Sequence, residues 1–259
     1  MTVSYRVDDR VAILTLDDGP RRNALSKAMI VGLNQLLDRS MQDGARAIVV
    51  AANGPTFCAG ANIDDLRSGW MEGSAPEADP IHFFRRLAEE SRVTVAAVHG
   101  LAAGGGLELS LACDLIVVGE KGAFVAPELG HGVVPPLGAA LLPRSVGRHR
   151  AAEMILTQRK VDAGEALRIG LASRAAGAEG VADAAAALAR SIVGAVPPGA
   201  LGVVKQQLAR HPSIDWDSIL LSSAEVPPAE WREGLDAFLE KRKPNYERFW
   251  AAGDGGARR

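Results

Sequence analysis

The chain has 259 residues, of which 47% are hydrophobic and 23% charged, as in an ordinary globular protein. Its formal net charge of −2 gives no overall attraction for nucleic acid or an anionic membrane, so any basic site must be local. The two cysteines, Cys58 and Cys113, argue against a disulfide framework and indicate a reducing compartment. Residues 1–10 are charged where an export signal needs an apolar stretch, and no apolar run reaches the roughly 18 residues of a membrane span. We therefore expect a cytoplasmic protein without a membrane partner.

Short aliphatic segments, each followed within four residues by Gly or Pro, predict β-strands in the first half of the chain. Between the first two, apolar residues recur at helical spacing from Ser26 to Gln42, with Ser26 as the expected N-cap. Strands that alternate with helices indicate an α/β fold whose sheets are covered on both faces. The predicted strands are Val11–Leu16, Ala47–Ala52, Val93–Val98 and Leu115–Val118.

The second half of the chain is predicted to be mainly helical. Asp162 and Glu165 have the spacing of a capping box at the start of a short helix. The alanine-rich stretch 181–196 has high helix propensity and ends at a pair of prolines. Further helices are predicted at 200–210, 214–224 and 231–243.

The proline pair at 197–198 is the predicted domain boundary. Residues 1–196 would form the core with the active site, and 197–259 a helical C-terminal region that is expected to serve oligomerisation, although packing on its own core is equally allowed. The stretch 68–80 is rich in Gly, Pro, Ser and acidic residues, which predicts a mobile loop. A short helix is predicted after it, at 81–89.

Two turns rich in small residues are candidate ligand sites. Gly104, Gly105 and Gly106 follow a strand and open a helix, so backbone N–H groups can approach an anion or a developing oxyanion. The turn around Ala59 and Ala61 also follows a strand and leaves its amides uncovered. Together they could direct two N–H donors at one carbonyl oxygen, although simple packing turns are the alternative. Neither a dinucleotide fingerprint nor a Walker A motif can be read through the glycines.

Two glutamates stand in apolar surroundings. Glu108 is flanked by leucines in the helix after the glycine run, and Glu128 follows an apolar segment that ends in proline. A carboxylate is disfavoured there unless it is paired or has a chemical task. Taken singly, Glu108 could complement a helix dipole and Glu128 could lie on a surface turn. Taken together, they are candidates for an acid/base pair.

These motifs, in this order and spacing, resemble the enoyl-CoA hydratase/isomerase (crotonase) family, and its hydratases most closely. The resemblance covers nearly the whole chain, and the ordered set is far more specific than any single motif. Its carriers are RRNALS at 21–26, FCAGA at 57–61, AVHG at 97–100 with GGGLE at 104–108, CD at 113–114, FVAPE at 124–128 and EKRKP at 240–244.

The resemblance implies a spiral of ββα turns with a helical C-terminal region, assembled as trimers or hexamers. It implies Glu108 and Glu128 as catalytic residues, and the backbone amides of Ala61 and Gly105 as an oxyanion hole. It implies an acyl-CoA thioester substrate, in which coenzyme A is part of the substrate and no separate cofactor or metal is used. The implied coenzyme A contacts are Arg22, Ala59, Ala61, Ile63 and Lys241.

Three features depart from the family pattern. Asp64 stands where some relatives carry a lysine near coenzyme A. The stretch 132–142 lacks the usual glycine-glycine-threonine-glutamine run, and it could reshape the acyl pocket. His131 is also unexpected; it could tune Glu128 or be a surface histidine.

The leading hypothesis is an enoyl-CoA hydratase that adds water across the 2,3 double bond. An enoyl-CoA isomerase would need only one base, for which Glu128 suffices, and a hydrolase or decarboxylase on the same fold is also open. A non-catalytic coenzyme A-binding or RNA-binding protein is disfavoured, because the basic residues are scattered except at 241–243. The segments 68–80 and 81–89 are expected to line the acyl tail, whose length the sequence leaves open.

Overall fold

The computed structural model describes residues 2–70, 74–177, 180–209 and 227–246, whose strands form two sheets. The larger sheet has the order β1-β2-β3-β5-β7-β10 and the smaller one β4-β6-β8-β9. Pairing is antiparallel for β1 with β2 and for β8 with β9, and parallel for the other neighbours. In chain order the strands are β1 (Val3–Asp8), β2 (Val11–Leu16), β3 (Ala47–Ala52), β4 (Thr56–Cys58), β5 (Val93–Val98), β6 (Leu101–Ala103), β7 (Leu115–Val118), β8 (Ala123–Val125), β9 (Val161–Asp162) and β10 (Arg174–Ala175).

Ten α-helices and three short 3₁₀ helices connect and cover these sheets within the described residues. Short 3₁₀ helices occupy Gly19–Arg21, Pro76–Ala78 and Glu128–His131. No single described helix is long and apolar enough to cross a membrane; the helical segments Val181–Ala195 and Pro198–Leu208 reach that length and apolar composition only as a pair, which is bent by 117°. The α-helices are α1 (Lys27–Gln42), α2 (Ile63–Arg67), α3 (Pro80–Ala88), α4 (Gly105–Leu111), α5 (Pro136–Val146), α6 (Arg148–Thr157), α7 (Ala163–Arg168), α8 (Val181–Ala195), α9 (Pro198–Ala209) and α10 (Pro228–Leu239).

Successive units repeat the order strand, strand, helix, with β3-β4-α2, then β5-β6-α4, then β7-β8-α5. The first strand of each unit joins the larger sheet and the second joins the smaller one. The predicted α/β class, with its spiral of ββα turns, is confirmed. Because the strands of each sheet run parallel from unit to unit, the turns after β4 and β6 lie side by side at one edge of the smaller sheet.

Both faces of the central strands of the larger sheet are buried. In β5, Val95 and Ala97 pack in one apolar cluster with α8, whereas Ala96 and Val98 pack in the main core with α1. A strand covered on both sides needs apolar side chains at consecutive positions rather than at alternate ones. This explains why the four predicted strands are continuous aliphatic runs, and all four are confirmed as β2, β3, β5 and β7.

The predicted helix starts are confirmed where a side chain caps the helix. The hydroxyl oxygen of Ser26 accepts a hydrogen bond from Met29 N at 3.2 Å, at the start of α1. Asp162 accepts one from Glu165 N at 2.8 Å and so caps α7. The reciprocal half of that capping box is not formed in the described structure, because the Glu165 carboxylate pairs with the Arg159 guanidinium at 2.7 Å.

The C-terminal helices differ from their predicted bounds. Helix α9 begins at Pro198, two residues before the predicted start, because a proline is tolerated in the first turn. Helix α10 spans Pro228–Leu239 rather than 231–243, and Lys241 lies beyond it with a left-handed φ of 54°. The helix predicted at 214–224 lies outside the described residues.

The predicted mobile loop at 68–80 is anchored in its described parts. Trp70 is fully buried, and its indole N–H donates to Ala78 O at 2.8 Å. Asp79 caps the next helix, with Oδ1 accepting from Ile81 N at 2.7 Å, so α3 begins at Pro80. Two local polar contacts and one large buried ring thus hold these residues, which form a loop that includes the 3₁₀ helix Pro76–Ala78, and the mobility of this loop stays a prediction.

A partly buried ion pair connects α9 to the core. Lys205 is 5% exposed, and its Nζ lies 2.5 Å from Oδ2 of Asp114, the residue directly before β7. The same carboxylate oxygen accepts from Thr94 N at 2.7 Å and from Thr94 Oγ1 at 2.9 Å. The proposed division at 196–197 therefore has a strong contact across it, and the domain assignment stays a prediction.

We expect Lys205→Met to destabilise the protein by about 3 kcal/mol, because it leaves the partly buried Asp114 carboxylate without its cation. Chemical denaturation measures this loss. The control Lys121→Met removes an exposed lysine and should change the free energy of unfolding by less than about 0.5 kcal/mol. Equal effects of the two substitutions would show that the ion pair does not stabilise the docked helix.

Candidate active site

The two turns predicted to supply N–H donors lie against each other. One follows β4 and contains Gly60 and Ala61, and the other follows β6 and contains Gly105. A Cβ atom built on Gly60 would lie 3.2 Å from Ala103 O, and one built on Gly105 would lie 3.7 Å from Ala61 N. Gly60 suits this close approach because its φ is 103° and a Cβ there would crowd the Ala103 carbonyl, whereas the 3.7 Å at Gly105 is an ordinary van der Waals distance. The tertiary structure thus brings the two predicted donors together.

The N–H of Ala61 is left free by the way its strand segment pairs with Leu25. Leu25 N donates to Gly60 O at 2.7 Å, and Asn62 N donates to Leu25 O at 2.7 Å. In this parallel bridge Leu25 forms its two hydrogen bonds with Gly60 and Asn62, the neighbours of Ala61 on either side. The N–H of Ala61 is therefore directed away from Leu25. Among the described residues, no acceptor is recorded for it.

The N–H of Gly105 is free for a different reason. Gly105 is the first residue of α4, and the first N–H groups of a helix have no acceptor within it. The preceding Gly104 adopts φ 54° and ψ −122°, a conformation suited to glycine. A Cβ on Gly104 would also lie 3.1 Å from Glu128 Oε1. Two unpaired N–H groups on adjacent turns are the arrangement that can stabilise an oxyanion.

Glu108 lies on α4, four residues after Gly104, and is only 5% exposed. Its Oε1 accepts hydrogen bonds from Leu137 N and Gly138 N, both at 2.8 Å. These are the first available N–H groups of α5, since Pro136 at the first position has none. Burial raises the pKa of Glu108 to about 7, and the two N–H donors oppose that rise.

The sequence departure at 132–142 therefore contacts Glu108 directly, through the start of α5. The consecutive prolines Pro135 and Pro136 fix the entry into this helix. The sequence alone did not predict Leu137 and Gly138 as partners of Glu108. A proline-proline pair before a helical pattern is a signal for a helix start, but it does not reveal which side chain the helix end contacts.

Glu128 begins the 3₁₀ helix Glu128–His131. Its Oε2 is buried and has no hydrogen-bond partner among the described residues. Burial raises the pKa of Glu128 to about 8, and the negative charge of Glu108 adds to the rise. The two carboxyl groups thus interact, and the negative charge of one disfavours ionisation of the other, so the pair does not readily carry two negative charges. Glu108 is the better candidate for the ionised partner, because a helix N-terminus favours negative charge.

His131 stabilises the backbone rather than contacting Glu128. Its Nδ1 lies 2.9 Å from Pro127 O, and its ring meets the edge of Phe238 in α10 at a centroid distance of 5.2 Å. Within the described residues no contact with the Glu128 carboxyl is recorded, and His131 is half-buried rather than on the surface. Gly234 of α10 packs on the carbonyl of His131 so closely that a Cβ would collide with it. Helix α10 therefore covers the segment that carries Glu128.

Most of the predicted coenzyme A contacts cluster beside Ala61. Ala59 N donates to the carbonyl of Arg22 at 3.1 Å, and the Arg22 side chain is exposed. Ile63 is the first residue of α2, immediately after its N-cap Asn62. Lys241 is exposed on a separate segment beyond α10, and no contact is recorded between it and this cluster. The departure Asp64 is exposed in the first turn of α2.

We expect Gly138→Ala to lower kcat about tenfold. The added Cβ would lie 3.1 Å from Pro135 Cβ and 3.6 Å from Glu108 Oε1, so the N–H groups that hold Glu108 must shift. Steady-state kinetics with an enoyl-CoA measures the effect. The matched control Gly194→Ala, at an exposed helical position with nothing within 4 Å, should stabilise α8 by about 0.5–1 kcal/mol and leave kcat unchanged. A fully active Gly138→Ala variant would contradict the positioning of Glu108 by α5.

The chain is similar to known proteins over almost its whole length. The family model described as enoyl-CoA hydratase/isomerase matches residues 6–248. A Bacillus subtilis protein named "Probable enoyl-CoA hydratase" is 33% identical over 255 residues, which cover 95% of this chain and 98% of that protein. The chain belongs to the enoyl-CoA hydratase/isomerase family.

Solved structures of the family share the whole fold with this chain. The crystal structure of an enoyl-CoA hydratase/isomerase from Pseudoalteromonas atlantica T6c is 30% identical, with a TM-score of 0.81 over 95% of this chain and 99% of that one. A methylmalonyl-CoA decarboxylase is 27% identical, also with a TM-score of 0.81, over 95% of this chain and 97% of that one. The resemblance and the expected fold are confirmed. One family fold therefore supports more than one reaction of acyl-CoA thioesters.

Proposed function

We propose that this protein is an enoyl-CoA hydratase that converts a 2-enoyl-CoA into a 3-hydroxyacyl-CoA. The observation that carries the proposal is the combination of two interacting buried carboxyl groups, Glu108 and Glu128, with two free N–H groups on adjoining turns. Hydration needs both parts, because a proton must leave water and another must reach carbon while charge develops on the thioester oxygen.

In the proposed reaction, Ala61 N–H and Gly105 N–H donate to the thioester oxygen. Their hydrogen bonds strengthen as negative charge develops during attack at C3, so they stabilise the transition state more than the substrate. Neither N–H is recorded with another acceptor among the described residues, so no protein hydrogen bond has to be broken first. Removing one such donor typically costs a factor of about 10²–10³ in rate.

The two glutamates would divide the acid and base roles. Glu108, held by the Leu137 and Gly138 amides, would be the carboxylate that takes a proton from water. Glu128, with its unpaired buried oxygen and its raised pKa, would carry the proton delivered to C2. Each proton transfer contributes roughly 10²–10⁴ to the rate. The reaction regenerates the pair once the proton returns from Glu108 to Glu128.

The second candidate is an enoyl-CoA isomerase. It is favoured by one observation: Oε1 of Glu108 is already occupied by two backbone N–H groups. If this glutamate only anchors α5, Glu128 remains as the single group that could move a proton between C2 and C4. A decarboxylase reaction, as in the methylmalonyl-CoA decarboxylase of the same fold, is a third reading.

The substrate in this proposal is an acyl-CoA thioester, contacted by Arg22, Ala59, Ile63 and Lys241. Coenzyme A enters as part of the substrate, and the proposed steps use no metal or redox cofactor. Among the described residues, no group of three or more His, Cys, Asp or Glu side chains could hold a metal ion. A cytoplasmic homotrimer or homohexamer remains the expected state.

The deciding experiment uses crotonyl-CoA in water enriched in oxygen-18. Wild type should bleach the enoyl thioester absorbance and place one heavy oxygen on C3 of the product. Glu108→Gln should lose this activity by at least a hundredfold. A wild type that moves the double bond of a 3-enoyl-CoA without incorporating oxygen, together with an active Glu108→Gln, would establish the isomerase instead. No turnover of either substrate would refute both assignments.

A further inference from the structure

Asn23 is a buried side chain whose hydrogen-bonding groups are all used. It is 1% exposed and adopts a left-handed φ of 56°. Its Oδ1 accepts from Asp18 N at 2.7 Å, and its Nδ2 donates to Asn53 O at 2.9 Å and to Thr56 O at 2.8 Å. Asparagine suits this position because it tolerates the left-handed region and offers one acceptor and two donors.

These bonds tie together three segments that lead into the candidate site. Asp18 follows β2, Asn53 follows β3, and Thr56 begins β4, the strand that runs into the turn with Ala61. The two Nδ2 bonds span the tight connection between β3 and β4 and fix where β4 starts. A side chain that holds both ends of this connection controls the position of the turn beyond β4.

The backbone on either side of Asn23 also forms hydrogen bonds with the turn that follows β4. Arg22 O accepts from Ala59 N at 3.1 Å, and Leu25 makes the bridge whose two bonds flank Ala61. The side chain of Leu25 also supports the second donor, since a Cβ on Gly105 would lie 3.1 Å from Leu25 Cδ1. The segment 22–25 therefore contacts both of the turns that carry the free N–H groups of Ala61 and Gly105.

We propose that Asn23 is a positioning residue for the oxyanion site. By fixing the segment 22–25 against the start of β4, it sets the Leu25–Ala61 bridge that directs the Ala61 N–H towards the side where the Gly105 N–H is free. Asn23 itself touches no reacting atom. The inference rests on the proposed function only in that a thioester oxygen occupies the site, and it holds for hydratase, isomerase and decarboxylase alike.

The test compares wild type with Asn23→Asp. Aspartate has the same shape, tolerates the left-handed backbone and keeps an acceptor for Asp18 N, but it loses both donors and turns a carboxylate towards two carbonyl oxygens. The readout is the absorbance of bound 4-dimethylaminocinnamoyl-CoA, which moves to longer wavelength when N–H donors polarise its carbonyl. We expect the variant to lose at least half of this shift and at least tenfold in kcat, because misplaced donors cost rate steeply.

The matched control is Thr94→Val, which also removes side-chain hydrogen bonds from a buried residue. Thr94 is fully buried near the amino end of β5 and exchanges hydrogen bonds with Asp114 there. It should lose stability but keep the full absorbance shift and kcat. If Asn23→Asp behaves like Thr94→Val, losing stability with an intact shift and kcat, Asn23 is merely structural and the proposal is overturned.

A second variant covers the case in which Asn23→Asp does not fold. Asn23→Gly keeps the left-handed backbone and leaves room for water to bond Asn53 O and Thr56 O. It should show the same loss of shift and kcat. If wild type shifts the absorbance of the bound cinnamoyl-CoA but turns over no enoyl-CoA, the proposed function is refuted and the inference about Asn23 is not. The absorbance shift in the variants would then still decide the role of Asn23. A wild type without any shift would overturn the inference.

Discussion

Glu128→Gln is expected to abolish turnover and at the same time to make the protein more stable in alkaline solution. Loss of the proposed proton donor should lower kcat by about 10²–10⁴. The amide has nearly the same shape and is never charged, so the fold should be retained.

The pH dependence of stability follows from the pKa of Glu128. Burial and the charge of Glu108 raise it from the ordinary value of 4.5 to about 8, so the folded protein binds this proton more tightly than the unfolded chain does. The stability associated with the protonated carboxyl is fully present below about pH 4.5 and is lost as pH rises through about 8. The variant has no such proton to lose. It should match wild type near pH 4.5 and exceed its free energy of unfolding by a few kcal/mol at pH 9.

Denaturant titrations of wild type and variant at several pH values between 4.5 and 9 measure this difference. The control Glu120→Gln replaces an exposed glutamate, and it should leave kcat unchanged and stability within about 0.5 kcal/mol of wild type. A Glu128→Gln protein whose stability relative to wild type stays constant across this range would contradict a buried carboxyl with a raised pKa. A fully active one would remove Glu128 from the reaction.

Gly105→Pro is expected to remove one oxyanion donor while leaving the helix intact. Gly105 is the first residue of α4, where a proline fits and where its missing N–H breaks no helical hydrogen bond. The loss of the donor should lower kcat by about 10²–10³, or roughly 3–4 kcal/mol of transition-state stabilisation. Thermal unfolding should stay close to that of wild type.

Gly105→Ala is the matched control, because alanine restores the N–H and keeps the added Cβ. That Cβ would lie 3.1 Å from Leu25 Cδ1, the end of a flexible side chain that can move slightly. Its loss in kcat should be less than tenfold. Equal losses in the two variants, measured with the same enoyl-CoA, would mean that Gly105 is required for packing and that its N–H has no role in the reaction.

Several elements of the fold could be predicted because their signals are local. The aliphatic runs of β2, β3, β5 and β7 mark strands that are covered on both faces, and Ser26 and Asp162 cap helices within a few residues of themselves. The strands of three residues or fewer, such as β4, β6 and β8, are too short for periodicity to register. The end of α10 was missed because no proline or glycine follows it until Pro244, so no local signal marks the point where Lys241 turns left-handed.

The candidate site shows the same division. The candidate residues could be picked out from the sequence, because a glutamate in apolar surroundings and a glycine run after a strand are both costly unless they have a role. What each of these residues contacts became known from the folded chain. Glu108 meets the N–H groups of Leu137 and Gly138, 29 and 30 residues further along, and Ala61 is freed by its bridge to the distant Leu25. These contacts depend on where the spiral places successive turns, which no local pattern encodes.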